Sequence, residues 1–205
     1  MIKQIPNLLT LTRFVLAPIV AYALWRGYWT PLIPPTGPEM AEMSAQAFRA
    51  AEEAGRNWTK LAAGLFVFAA LTDLFDGWAA RALDADSKFG RVLDPIADKA
   101  LVGLPLIALT VISGYNLWIL IPTLVIVGRD LLITILRLAA TDGEGAPVSA
   151  LAKWKTALEL IAVATPIFFA LLPAVDGGLM AAWLFVLWIA AALSLYTGAR
   201  YLIQS

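Results

Sequence analysis

Long apolar runs separated by short polar stretches dominate the pattern of the chain. A helix needs about 20 mainly apolar residues to cross a bilayer, and the runs that meet this length cover residues 8–27, 59–76, 94–113, 117–138, 154–173 and 178–198. Each run is apolar on most faces of the helix it would form, as expected of a helix surrounded by lipid. The pattern therefore predicts an all-α integral membrane protein, a bundle of six transmembrane helices.

The segments around the first span break this pattern. The start of the chain, MIKQIPNLLTLTR, indicates an amphipathic segment that leads into the first span. Residues 28–58 form an insert between the first two spans, and we expect a loop followed by a short helix there, with Glu39 and Glu42 in its early turns and Gly55 near its end. No repeat of fixed period is visible, so residues 1–205 are expected to form a single domain.

The distribution of Lys and Arg predicts the orientation. Six spans place both termini on one side of the membrane, and that side carries more Lys and Arg than the other. Because basic residues are enriched on the cytoplasmic side, the termini and residues 73–98 are expected to face the cytosol. The 28–58 insert is then extracytoplasmic.

Composition limits the chemistry that is available. Charged residues make up 15% of the chain, against about 25% in soluble domains. The formal net charge is zero, which gives no electrostatic reason to expect a nucleic acid partner. The chain has neither Cys nor His, so thiol chemistry, thiolate metal sites and the usual His base are excluded. Any proton transfer must use Asp, Glu, Lys or Tyr.

The most acidic stretch lies between two apolar spans and reads DLFDGWAARALDADSKFGRVLDPIAD, from Asp73 to Asp98. Asp73 and Asp76 are three residues apart, and Asp94 and Asp98 are four apart, so each pair shares one face of a helix. Pro95 suits the first position of a helix capped by Asp94, although a helix that runs through this point is also possible. A helical hairpin here would bring the two carboxylate pairs together at the cytosolic edge of the bilayer.

Clustered carboxylates at a membrane boundary need compensating cations, because burial and mutual repulsion both oppose their ionisation. Oxygen ligands in two pairs suit hard divalent cations, Mg²⁺ first, with Mn²⁺ or Ca²⁺ possible. Two such ions can clamp a phosphate under attack. The alternative is a charged loop whose carboxylates pair with the nearby basic residues Arg81, Lys88, Arg91 and Lys99.

The spacing of this stretch favours metal binding. Eight positions follow the pattern Asp73-x2-Asp76-Gly77-x2-Ala80-Arg81-x8-Gly90-x3-Asp94-x3-Asp98. Without a gap or a substitution, the pattern resembles the signature of the CDP-alcohol phosphotransferase family. That resemblance implies a six-helix membrane enzyme, usually a homodimer, that uses an alcohol to displace CMP from a CDP-linked lipid.

The resemblance also implies a role for each matched residue. Two Mg²⁺ ions, or Mn²⁺, would be held by Asp73, Asp76, Asp94 and Asp98. Asp98 would in addition be the base that accepts the proton of the incoming hydroxyl. The cytidine diphosphate would lie against Asp76, Gly77, Ala80, Arg81, Ser87 and Gly90. Glycine lets the backbone approach a nucleotide closely, and an Arg can donate two hydrogen bonds to a phosphate.

Three further stretches indicate the acceptor alcohol: IPNLLTLTR at 5–13, GRDLLITILR at 128–137 and LAKWKT at 151–156. They resemble the bacterial branch of the family that joins CDP-diacylglycerol to sn-glycerol 3-phosphate in the inner membrane. A phosphorylated acceptor needs more cations, and the candidates are Arg129, Arg137, Lys153 and Lys155. The alternatives are positive-inside anchoring for the two lysines and a structural pair with Asp130 for Arg129.

Two observations leave other functions open. The Arg–Asp sequence at 129–130 and LTDLFDG at 71–77 also occur in family members that use phosphatidylglycerol as acceptor, and another branch uses an inositol phosphate. The non-enzyme alternative is a small ion-coupled transporter. A transporter predicts acidic residues spread through the membrane depth or repeated in both halves of the chain, whereas here they are concentrated in one hairpin.

Overall fold

Six helices account for the chain in the computed structural model, which describes residues 5–30, 45–83, 88–139, 150–172 and 174–204. They are α1 (Ile5–Trp29), α2 (Ala45–Leu83), α3 (Lys88–Ile112), α4 (Leu117–Ala139), α5 (Ala150–Phe169) and α6 (Gly177–Gln204). Side chains are described in these ranges except at 5–7, 45–46, 74–83, 88–92, 137–139, 150, 152 and 204. The described ranges contain no strand, which confirms the all-α prediction.

Each predicted span falls mainly in a helix of its own, although the spans 94–113 and 154–173 extend beyond the ends of α3 at Ile112 and α5 at Phe169. Four stretches are long and apolar enough to cross a membrane: Leu8–Trp29, Leu93–Ile112, Leu117–Leu136 and Gly177–Ile203. Large apolar side chains on these helices point away from the bundle, among them Leu124 and Phe185, which are 62% and 68% exposed. An apolar surface of this kind belongs in lipid, so the protein is a membrane protein. Membrane crossing by α2 and α5 stays a prediction.

Helix α1 lies between α2 and α3. It packs along both of them, whereas α2 and α3 contact each other only slightly. Small residues are buried on both helices, among them Ala17 and Ala23 on α1 and Ala62 and Ala69 on α2, and small side chains let helices in a membrane approach closely. Helix α4 packs on α3 and α6, and α5 packs on α6 and α2. The helices that carry the two acidic pairs are therefore held together by α1.

The second half of the insert is a continuation of α2. The helix begins at Ala45 and does not end at Gly55, so the prediction of a separate short helix is wrong. Gly55 is instead a contact point, because a Cβ atom on Gly27 of α1 would lie 3.2 Å from the Gly55 carbonyl oxygen and 2.5 Å from Thr59 Oγ1. The Ala- and Glu-rich sequence favours the helical state, and this close crossing holds the extension of α2 against α1.

The starts of α3 and α1 differ from helix boundaries that the sequence suggests. Helix α3 begins at Lys88 and runs through Pro95, so Asp94 does not cap a helix that starts there. Helix α1 is unbroken from Ile5, and no separate amphipathic element precedes the span within the described residues. The rest of that predicted segment, residues 1–4, and the predicted helix positions Glu39 and Glu42 lie outside the described residues.

Tight connections close the bundle at the end remote from the acidic residues. Between α3 and α4, Gly114 and Tyr115 adopt positive φ angles of 66° and 59°. The Asn116 side chain then accepts a hydrogen bond from the Trp118 backbone at 3.0 Å and caps α4. Asp176 caps α6 in the same way, with its Oδ1 atom 2.8 Å from the Leu179 nitrogen.

Candidate active site

A polar pair lies in the N-terminal half of α1. Thr10 and Arg13 are three residues apart and share one face of the helix. They are only 1% and 2% exposed. A buried guanidinium in an apolar span requires partners within the protein, and these come from the two helices on which α1 packs.

Arg13 joins the two halves of the acidic stretch. Its Nη1 atom donates to Oδ1 of Asp73 on α2 and to Oδ1 of Asp98 on α3. One turn earlier on α1, the Thr10 hydroxyl donates to Oδ1 of Asp94. The structure thus brings three of the four predicted metal ligands to one face of α1. Metal binding by them stays a prediction.

The carboxylates that contact Arg13 are accessible, whereas Arg13 itself is buried. The side chains of Asp73 and Asp98 are 34% and 42% exposed, against 2% for Arg13. A solute can therefore reach the acidic oxygens from outside the bundle without displacing α1. We call Thr10, Arg13, Asp73, Asp94 and Asp98 the acidic cluster.

The other signature residues lie where no side chain is described. Asp76, Gly77, Ala80 and Arg81 belong to α2 and Gly90 to α3, while Ser87 lies outside the described residues altogether. Asp76 follows Asp73 by three residues in the same helix, as the hairpin prediction requires. Contact of this set with cytidine diphosphate stays a prediction.

The described acceptors of the acidic cluster are carboxylate oxygens, the ligand type that hard divalent cations prefer. Among the side chains that the structure describes, no group of three acidic residues forms a ready-made metal cage. However, Oδ1 atoms from two different helices, on Asp73 and Asp98, converge on a single cationic nitrogen of Arg13. Carboxylate oxygens that share one positive centre are the ligands that Mg²⁺ and Mn²⁺ take.

A second ionic cluster surrounds Asp130 on α4. Its carboxylate lies 2.9 Å from Lys99 Nζ of α3, 2.9 Å from Arg129 Nη1 and 2.5 Å from Lys155 Nζ of α5. Lys155 also lies 2.9 Å from Glu159, one turn further along α5. Asp130, Lys155 and Glu159 are all buried. We call these five residues the Asp130 cluster; it links α3, α4 and α5 inside the bundle.

Helix α6 completes the surroundings of the Asp130 cluster. Arg129 Nη2 donates to Thr197 Oγ1 at 3.2 Å. The next residue, Gly198, makes room for the Arg side chain, because a Cβ atom there would lie 2.9 Å from both Cγ and Nε of Arg129. The position of the guanidinium therefore depends on the absence of a side chain at 198.

The four candidate acceptor-phosphate residues occupy different environments. Arg129 and Lys155 belong to the Asp130 cluster, and the predicted alternative of a pair between Arg129 and Asp130 is present. Lys153 is exposed. The Arg137 side chain lies outside the described residues.

For Lys99 the structure contradicts the alternative of a pair with the acidic residues of 73–98, because its ammonium group pairs with Asp130. Consecutive residues of a helix point about 100° apart. Asp98 therefore faces α1 while Lys99 faces α4. The alternative names three more basic residues as partners of the carboxylates, Arg81, Lys88 and Arg91, and their side chains are not described.

Sequence reasoning missed the roles of Thr10, Arg13 and Glu159. For Arg13 and Glu159 a signal existed, since a charged residue inside an apolar span usually has a specific partner or function. For Thr10 there was none, because a hydroxyl group in a helix is commonly satisfied by its own backbone.

Fold and site together define a class of protein. The chain is an all-helical membrane protein in which an accessible acidic cluster lies next to a buried, cation-rich one, and α3 contributes to both. Residues 3–196 match the family model described as CDP-alcohol phosphatidyltransferase. The chain belongs to this family of membrane enzymes, and family membership decides against the transporter alternative.

Relatives named CDP-diacylglycerol--glycerol-3-phosphate 3-phosphatidyltransferase support the assignment. The one from Cereibacter sphaeroides is 35% identical over 164 residues, which are 78% of this chain and 62% of the relative. Those from Pseudomonas fluorescens and Rickettsia felis are 33% and 32% identical, and each match covers 97% of this chain. The same two matches cover 88% and 93% of the relatives.

Proposed function

We propose that the protein transfers the phosphatidyl group of CDP-diacylglycerol to sn-glycerol 3-phosphate, which gives phosphatidylglycerol phosphate and CMP. The observation that carries the proposal is the convergence of Asp73, Asp94 and Asp98 on one face of α1 in a chain of this family. The names of the relatives support the choice of acceptor.

Asp98 is the proposed base. The acceptor hydroxyl oxygen forms a bond to the phosphorus that carries diacylglycerol, the bond from that phosphorus to the bridging oxygen breaks, and CMP leaves with the electron pair. The hydroxyl proton passes to the carboxylate of Asp98. In a chain without His, an accessible carboxylate is a suitable proton acceptor, and the Asp98 side chain is 42% exposed.

Divalent cations, Mg²⁺ or Mn²⁺, are the proposed cofactor, held by Asp73, Asp76, Asp94 and Asp98. When bound, such ions neutralise the charge that develops on the phosphate oxygens. The residues of the signature between the two acidic pairs are proposed to bind the cytidine diphosphate: Asp76, Gly77, Ala80, Arg81, Ser87 and Gly90. The diacyl tails of the donor remain in lipid, so a site at one end of an apolar bundle suits this substrate.

The acceptor phosphate is proposed to bind near Arg129, Arg137, Lys153 and Lys155. Support comes from the charge balance of the Asp130 cluster, in which the described side chains of Lys99, Arg129 and Lys155 face only two carboxylates. A local excess of positive charge attracts a phosphorylated acceptor. Lys153 lies on the surface of α5, where it would meet the acceptor only at the entrance.

The proposed setting is the bacterial inner membrane with the active site on the cytosolic side. The support is the excess of Lys and Arg on the side of the termini. A homodimer is proposed on the resemblance to the family. Crosslinking in membranes, with cysteines introduced into this Cys-free chain, measures both the dimer and the sidedness.

The acceptor and the base are tested together by CMP release. Purified protein in nanodiscs receives CDP-diacylglycerol and Mg²⁺, with sn-glycerol 3-phosphate, an inositol phosphate, phosphatidylglycerol or no acceptor. We expect the fastest release with sn-glycerol 3-phosphate. Asp98→Asn is expected to lower this rate by about 100-fold to 10,000-fold, the range of a general base.

The matched control is Asp176→Asn. Asp176 is an exposed residue that caps α6 through its side chain, and Asn caps helices as well as Asp does, so full activity is expected. Faster release with phosphatidylglycerol would overturn the acceptor assignment. Unchanged turnover in Asp98→Asn would overturn the assignment of the base.

A further inference from the structure

We propose that Arg13 is a positioning residue, a built-in counter-cation that holds the acidic cluster together and competes with divalent cations for its oxygens. The inference rests on the proposed metal site. It adds a property that the signature residues do not carry, because Arg13 lies in α1, 60 residues before Asp73.

Arg13 links α2 and α3 through one nitrogen atom. A single nitrogen of Arg13, Nη1, contacts one carboxylate oxygen on α2 and another on α3. These two helices contact each other only slightly, so the guanidinium is a direct link between the Asp73 and Asp98 carboxylates. Thr10 adds the parallel contact from α1 to Asp94.

Arg13 also reduces the electrostatic repulsion within the acidic cluster. The described side chains of the acidic cluster comprise three carboxylates and one cation. Without Arg13 the carboxylates of Asp73 and Asp98 would repel each other at close range.

Arg13 occupies carboxylate lone pairs that a divalent cation would also use. The Oδ1 atoms of Asp73 and Asp98 that accept from Arg13 are ligands that a divalent cation would use. A carboxylate oxygen engaged by a guanidinium must weaken that contact to bind a metal, and the two positive charges repel each other. Arg13 therefore assembles the metal-free site and at the same time lowers its affinity for metal.

Direct measurement of metal binding, without substrate, tests the inference. Mn²⁺ is titrated into the full-length protein in detergent, and free Mn²⁺ is measured by electron paramagnetic resonance. Arg13→Gln is expected to bind Mn²⁺ about tenfold more tightly than the unaltered protein, because a nearby positive charge has been removed. Arg13→Lys keeps the charge and is expected to bind within about threefold of the unaltered protein.

Arg26→Gln is the matched control. Arg26 lies 13 residues further along the same helix, about 20 Å away, and its guanidinium packs over the Trp58 ring at 5.7 Å. Its removal is expected to leave Mn²⁺ affinity unchanged. A merely structural role of Arg13 in the packing of α1 would likewise leave Mn²⁺ affinity unchanged or weaken it, and either result for Arg13→Gln overturns the inference.

Stability gives a second readout. In EDTA, Arg13→Gln is expected to unfold at a lower temperature than the unaltered protein, and Mn²⁺ is expected to raise its melting temperature by more than it raises that of the unaltered protein. An equal rise in both proteins overturns the inference.

Further comparisons cover the case in which Arg13→Gln does not fold and the case in which no variant binds Mn²⁺. If Arg13→Gln does not fold, Mn²⁺ binding is compared between Asp73→Asn and the double variant Asp73→Asn/Arg13→Gln, in which one charge of each sign is absent. The double variant is expected to bind more tightly, and equal or weaker binding overturns the inference. Saturable binding that ignores Arg13 contradicts the inference alone, whereas no saturable binding in any variant contradicts the proposed metal site as well.

Discussion

The two ionic clusters share helix α3 but have opposite charge balances. Asp98 of α3 belongs to the acidic cluster, whose described side chains comprise three carboxylates and one guanidinium, which contacts Asp73 and Asp98. The next residue, Lys99, belongs to the Asp130 cluster, in which three basic side chains serve two carboxylates. The first cluster is accessible and the second is largely buried. Accessible excess negative charge suits a site that takes up cations, whereas the buried cluster suits a joint between helices, and its smaller excess of positive charge suits the attraction of an anion.

This difference predicts the largest stability effect at Asp130. Asp130→Asn removes the carboxylate that Lys99, Arg129 and Lys155 share. Removing one partner of a buried ion pair costs about 3–5 kcal/mol, so a marked fall in the melting temperature in detergent, followed by Trp fluorescence, is expected. Asp176→Asn, on the exposed connection before α6, serves as the control. Equal melting temperatures for the two variants would show that the Asp130 cluster is not a structural joint.

Asp73→Asn is predicted to behave in the opposite way. Arg13 keeps Asp98 as a partner, and one source of repulsion is gone, so the melting temperature in EDTA is expected to stay the same or rise. CMP release is expected to fall by at least about 100-fold, since even outer-shell residues of metal sites contribute up to this factor. A loss of stability as large as that of Asp130→Asn would show that the two clusters do not differ in their contribution to stability.

The smallest predicted effect concerns the support of Arg129 by α6. In Gly198→Ala the new Cβ atom would lie 2.9 Å from Arg129 Cγ and Nε, which forces the side chain away from Thr197. Overpacking of this kind costs about 1–3 kcal/mol. Gly128→Ala is the control, because a Cβ atom at this helical glycine meets nothing within 4 Å. Thermal unfolding compares the two, and a Gly198→Ala protein as stable as Gly128→Ala would show that the position of Arg129 does not depend on the absence of a side chain at 198.

The helices were predictable because their cause is local. An apolar run of about 20 residues satisfies its own backbone hydrogen bonds as a helix and places its side chains in lipid, so each of the six runs falls mainly in one helix. Boundaries were less predictable. The sequence around Gly55 contains a residue that often ends a helix, but the contact of Gly27 on α1 with Gly55 and Thr59 on α2 exists only in the packed bundle.

The partners of the charged residues were the least predictable part of the site. The spacing of Asp94 and Asp98 is a local property and places both on one face of α3. That Arg13 would meet Asp73 and Asp98, and that Lys99 would turn to Asp130, depends on which helices are neighbours. Glu159 was overlooked for the same reason, since its partner Lys155 had been assigned to a phosphate.

By itself, the sequence determined the helical membrane fold, the family pattern and the spacing of the acidic residues, because hydrophobic length and helical periodicity act over a few turns of one chain segment. Only the tertiary structure decided which cation each carboxylate meets. An ionic contact depends on distance and burial across different helices, and the placement of α1 between α2 and α3 sets both for the acidic cluster.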